Sequence, residues 1–141
     1  MTAYVDSSVL LRVVLRQPNA LPEWRQFERA ASSVLIRLES LRTLDRLKVR
    51  GQIPDREIAE IRSTLLLLLD SIHLVELDSS VLDRAAQPFP TELGTLDAIH
   101  LSTALLWRER FPDEMVMATH DMALAIAARA HGFRVVGAPS G

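Results

Sequence analysis

The feature that most constrains this chain is an alternation: short apolar runs rich in β-formers are separated by longer segments in which apolar residues recur at helical spacing. The runs read as strands are Ala3 to Val5, Ser33 to Ile36, His73 to Leu77, Met115 to Ala118 and Arg134 to Val136. The segments read as helices are Ser7 to Arg16, Glu23 to Arg29, Arg37 to Arg50, Asp55 to Ser71, Ser80 to Ala86, Thr95 to Arg110 and Met122 to His131. Strands that take turns with helices predict an α/β/α three-layer sandwich around a mainly parallel sheet of about five strands. Punctuation agrees, with Gly51 and Gly132 placed as helix-closing glycines and Pro54 as a helix opener.

A length of 141 residues with 48% hydrophobic content suits one buried core, and the chain is read as a single domain over residues 1–141. The longest apolar run, Leu65 to Leu69, is far short of a bilayer span of roughly 20 residues. Arg12 interrupts the apolar residues near the N-terminus, so no signal peptide is read there, and the expected location is the cytoplasm. In the Asp55 to Ser71 helix, Ile58, Ile61, Leu65, Leu68 and Ile72 form one stripe, while Leu66, Leu67 and Leu69 make its C-terminal half apolar all round. That half is expected to be buried on several sides, by the core or by a second copy of the chain.

Four acids stand where such a fold gathers ligands. Asp6 directly follows the first strand and Asp121 follows the fourth, which puts both at carboxyl ends of strands. Glu39 is read in the first turn of the third helix, and Asp97 in the first turn of another, two residues past the expected cap Thr95. Each alone is what a helix cap or dipole partner looks like. Crowding several carboxylates on one rim, however, raises their pKa values and destabilises the fold unless a cation neutralises them. There is no cysteine, so a metal would be held by oxygen or imidazole, and an all-oxygen set suits Mg²⁺ or Mn²⁺. Such ions pair with phosphates and activate water, which points to phosphodiester hydrolysis in which the carboxylates position metal and water and none is a covalent nucleophile.

The strings around these acids, Tyr4-Val5-Asp6-Ser7-Ser8-Val9-Leu10, Ser33 to Glu39, Thr95-Leu96-Asp97-Ala98-Ile99-His100-Leu101 and Thr119-His120-Asp121, resemble those of the PIN-domain ribonucleases. More narrowly, the chain is similar to the VapC toxins of bacterial VapBC toxin–antitoxin pairs in length, motif order and the closing Asp121 to Val136 segment, and the resemblance covers nearly the whole chain. It implies a PIN-like fold and an endoribonuclease whose metal-binding acids are Asp6, Glu39, Asp97 and Asp121, with Ser7 and Thr119 as hydroxyl neighbours and a product carrying a 5′-phosphate. It also implies a VapB-like antitoxin that blocks the site with an inserted peptide, and a homodimer. His100, one turn after Asp97, is read as a supporting or packing residue rather than a ligand, and His120 as a solvent-facing loop residue.

A net charge of −2 offers no general attraction to RNA, so binding needs a local patch. On the third helix Arg42, Arg46 and Arg50 fall within about a quarter-turn of Glu39, with Leu38, Leu41, Leu44 and Leu47 on the other side. Together with Arg12 and Arg16 the stripe is a candidate backbone track, or simply a solvated helix face. Trp24 and Trp107 are read as packing residues, not a stacking platform. No glycine-rich turn follows the first strand, which excludes a dinucleotide-binding domain. The competing reading is a PIN-like protein-binding module or RNA-processing factor with weak or no nuclease activity.

Overall fold

The computed structural model describes residues 1–51, 53–112 and 114–140. Its elements run β1 (Thr2–Val5), α1 (Ser7–Val14), a 3₁₀ turn (Pro22–Gln26), β2 (Arg29–Ser33), α2 (Leu35–Val49), α3 (Asp55–Ser71), β3 (His73–Val75), α4 (Ser79–Ala85), α5 (Thr95–Arg110), β4 (Met115–Ala118), α6 (Met122–Ala130) and β5 (Arg134–Val136). All strand pairs are parallel and the order across the sheet is β3-β2-β1-β4-β5. The α/β/α sandwich with a five-stranded parallel sheet is therefore the observed architecture.

Alternation along the strands sorts the core into two layers. Ala3, Val5, Val116 and Ala118 face α1, α2 and α3 through Val9, Leu10, Ile36, Leu44, Leu65 and Leu69. Tyr4, Met115 and Met117 face α5 and α6 through Leu101, Leu105, Leu124 and Ala128. With apolar layers on both sides, every residue of β4 is buried, as a central parallel strand requires. The order reverses between β1 and β4: the chain builds outward from β1 to β3 on one side and through β4 to β5 on the other. The crevice at that switch, above the carboxyl ends of β1 and β4, is where such sheets bind ligands.

Several boundaries depart from the sequence reading. The second strand is Arg29–Ser33, not Ser33 to Ile36, and Leu35 and Ile36 already belong to α2. Its sequence, Arg-Ala-Ala-Ser-Ser, carries little β-preference, but parallel pairing with β1 and β3 holds it in the sheet, and the Ser32 hydroxyl donates to Val5 O at 2.6 Å. The shift moves Glu39 from the first turn of its helix to the second. The helix expected over Glu23 to Arg29 is only the 3₁₀ turn, since Arg29 is already in β2. Thr95 is the first residue of α5 and Gly94 occupies the cap position. On α3, Leu65 and Leu69 are buried but Leu67 is 71% exposed, so its C-terminal half is not buried all round; Leu38 on α2 is likewise exposed. Gly51 and Gly132 do close their helices, with φ of 65° and 84°.

Candidate active site

At the sheet's switch point, Asp6, Glu39, Asp97 and Asp121 line one open pocket of about 400 Å³ together with Ser7, Ser8, Thr95 and His100. Four elements deliver the four acids. Asp6 and Asp121 are the N-caps of α1 and α6, and they accept the amide protons of Val9 at 3.2 Å and Leu124 at 2.9 Å. Each caps its helix and still faces the pocket, so the structural role seen in the sequence and the site role coexist. Glu39 projects from α2, and Asp97 from the first turn of α5.

Hydroxyls and backbone amides tie the β1 and β4 ends together. Ser8 donates to Asp6 Oδ1 at 2.5 Å, Thr119 donates to Asp6 Oδ2, and the Asp121 amide donates to the Thr119 hydroxyl at 2.9 Å. The amide of His120 donates to the Ser8 hydroxyl at 3.0 Å, closing a second bridge between the same two loops. Thr119 thus stands beside the acids as expected. Ser7 lines the pocket, but the hydroxyl that bonds Asp6 is that of Ser8, because the capping carboxylate turns inward over the first turn of α1.

His120 does not face solvent freely. It is half-buried, and its Nδ1 lies 2.8 Å from Gly137 O, a carbonyl that can only accept, so Nδ1 carries the proton. Gly137, which the sequence reading passed over, has φ +99°, and a Cβ there would lie 2.6 Å from Thr119 O. The one sequence signal available was a glycine directly after the last strand. His100 is buried and joins the core to the pocket: Nδ1 lies 2.7 Å from the Tyr4 hydroxyl, and Nε2 lies 2.6 Å from Glu39 Oε1.

Burial pushes the Asp6 carboxyl up from its ordinary range, against the hydrogen bonds from Ser8 and Thr119. Asp97 is pushed up to about 6, first by burial and then by the negative charge of Asp121, with Asp6 and Glu39 adding to it and His100 opposing. Mutual repulsion among carboxylates around one pocket is the condition a hard divalent cation relieves. Among the described residues no three acids or histidines stand close enough to enclose an ion by themselves. The donor set still fits Mg²⁺ or Mn²⁺, which need few protein ligands and keep several waters.

The arginine stripe is not part of this pocket. Arg42 pairs with Asp45 at 3.1 Å, Arg46 donates to Thr43 at 2.9 Å, Arg50 caps the far end of α2, and Arg12 reaches Asn19 O at 3.5 Å. Trp24 packs edge-on against Phe27, and Trp107 edge-on against His73 and tilted against Phe111, as packing residues do. No helix among the described residues is long and apolar enough to cross a membrane.

The PIN domain family pattern matches residues 3–136, and the chain belongs to the PIN-domain family. Within it the chain is VapC-like. It is 33% identical over 141 residues to Ribonuclease VapC46 of Mycobacterium tuberculosis, covering 97% of each chain. It is 31% identical over 137 residues to Ribonuclease VapC47 of the same species, covering 92% of each. In structure it is similar to a chain of a toxin-antitoxin complex from Klebsiella pneumoniae, with a TM-score of 0.60, 20% identity, and coverage of 87% of this chain and 90% of that one.

Proposed function

We propose that this protein is a divalent-metal-dependent endoribonuclease and the toxin of a type II toxin–antitoxin pair, acting on RNA in the cytoplasm. The observation that carries the reading is the convergence of Asp6, Glu39, Asp97 and Asp121, from four separate elements, on one pocket at the switch point of the sheet. The ribonuclease names of the two relatives support the substrate class.

In this reading carboxylates of the four-acid rim, with waters filling the remaining positions, would hold Mg²⁺ or Mn²⁺, which would supply activation of water and neutralisation of charge on the phosphate. Asp6 accepts the most hydrogen bonds of the four acids among the described residues, from Ser8, Thr119 and the Val9 amide, and it fixes the site relative to β1. Asp97 and Asp121 complete the negative rim from the α5 and β4 sides. Hydrolysis adds water oxygen to phosphorus and breaks the bond to the 3′ oxygen, which leaves with a proton, so the downstream fragment keeps a 5′-phosphate. Arg42, Arg46, Arg50 and Arg12 are proposed as a phosphate track leading away from the pocket.

A VapB-like antitoxin and a second copy of the chain are the proposed protein partners. The open mouth of the acid pocket is the place a peptide insert would block, and exposed Leu67 on α3 offers apolar surface to another copy. The test is thermal unfolding of the purified protein with Mn²⁺, with Mg²⁺ and with EDTA. A ligand that binds only the folded site raises stability by mass action. A rise in Tm with either ion that EDTA abolishes supports the reading, while no response to either ion would favour a binding module with a vestigial site.

A further inference from the structure

We infer that His100 is a positioning residue for Glu39, and that Tyr4 sets the direction in which its hydrogen bonds run. The consequence for activity rests on the nuclease reading above; the bond directions do not. Tyr4, two residues before Asp6, is fully buried, and the amide of Ser33 donates to its oxygen at 3.0 Å. An amide N–H can only donate, so the phenol's own proton must find another partner, and His100 Nδ1 stands 2.7 Å away. A proton donated to Nδ1 leaves the imidazole's own proton on Nε2, 2.6 Å from Glu39 Oε1.

The chain of donors therefore runs in one direction, from the Ser33 amide through Tyr4 and His100 to Glu39. It joins β2, β1, α5 and α2, and it starts in the core and ends at the pocket rim. Its effect is to take one carboxylate oxygen of Glu39 as an acceptor and leave the other for the pocket. Glutamate has several rotatable bonds, and a donor seated in the core removes the freedom that would carry the carboxylate toward solvent. Partners that orient a ligating side chain in this way commonly change metal affinity or activity by about 10–100-fold when removed.

The test reads the imidazole directly. In long-range ¹H–¹⁵N NMR of the metal-free protein at about neutral pH, His100 is expected with Nε2 protonated and Nδ1 bare. The Tyr4→Phe variant, which keeps the ring, removes the donor to Nδ1 and should shift the Nδ1 resonance while Glu39 still accepts from Nε2–H. In single-turnover cleavage, His100→Phe should fall by about 10–100-fold with RNA binding unchanged, and His100→Gln should recover most of the loss because its amide N–H reaches where Nε2–H does. Protonation of both nitrogens or of Nδ1 alone in the wild type, or a Gln variant no better than Phe, would overturn the inference. If the wild type neither binds Mn²⁺ nor cuts RNA, the nuclease reading fails separately, and the NMR signature still decides the bond direction.

Discussion

Thr119 donates its hydroxyl proton to Asp6 Oδ2 and accepts the amide proton of Asp121 through the same oxygen, joining residues 113 positions apart in the chain into one arrangement. Its bond to Asp6 opposes the effect of burial on that carboxyl. Burial raises the Asp6 pKa, and the hydroxyls of Ser8 and Thr119 pull it back. Thr119→Val keeps the shape and removes the donor, so the Asp6 pKa rises further and the carboxylate persists only at higher pH. Cleavage should drop by about 10–100-fold, and by more in mildly acidic than in mildly alkaline buffer. A pH–rate profile of wild type and variant, with the acidic limb displaced upward in the variant, checks this.

Asp97 makes a prediction about stability. Its folded pKa, about 6, lies above the ordinary 3.8. A raised acid favours the folded state while protonated, so its contribution is fully present below the ordinary value and is lost as pH rises through about 6. The metal-free wild type should therefore lose stability from this group as pH rises across that window. Asp97→Asn should lack the slope and melt higher than wild type near neutral pH. Denaturant midpoints at a series of pH values in EDTA measure both effects, and a wild type that gains stability from this group on alkalinisation would contradict the assignment.

The grouping of the candidate site's residues was partly legible in the sequence, for physical reasons. Asp6 and Asp121 could be placed on one rim because each follows a strongly apolar strand, and Asp97 because it stands in the first turn of a helix. Strand β2 was misplaced because Ala30, Ala31, Ser32 and Ser33 carry little intrinsic β-preference and are held in the sheet by pairing with β1 and β3. The error carried over to Glu39, whose turn of α2 was read one too early. Ser8 in place of Ser7, the bond from Tyr4 to His100, and the approach of Gly137 to Thr119 all depend on side chains or backbone meeting across the fold. No local pattern encodes such meetings.

Gly137 supports the loop that carries Thr119 and His120. A methyl group there would meet Thr119 O at 2.6 Å on a backbone with φ +99°, so strain and collision coincide. Gly137→Ala should destabilise the protein by about 1–3 kcal/mol and reduce cleavage by moving Thr119. Gly51→Ala, with φ +65° and nothing within 4 Å of the added carbon, should cost only the backbone strain of about 1–2 kcal/mol, without a collision, and leave cleavage intact. Chemical denaturation of the two variants side by side checks the order.

The arginine stripe on α2 is a matter of salt dependence. Among the described residues Arg46 and Arg50 hold no carboxylate within 4.0 Å, so their charge is available to phosphate. If they contact the RNA backbone, reversing both to Glu should weaken binding uniformly across sequences and flatten the dependence of log K on log salt by about one unit per lost contact. Binding isotherms at several salt concentrations give the slope, and an unchanged slope would leave α2 as ordinary solvated surface.

The most direct test of the four-carboxylate site is cleavage of total RNA by the purified protein with Mg²⁺ or Mn²⁺, with EDTA, and by the Asp97→Asn variant, followed by sequencing of new 5′ ends. Discrete cuts bearing 5′-phosphates, absent in EDTA and absent in the variant while its fold is retained, are the expected result. Cuts that persist in EDTA or in folded Asp97→Asn, or no cuts with either ion, would contradict it.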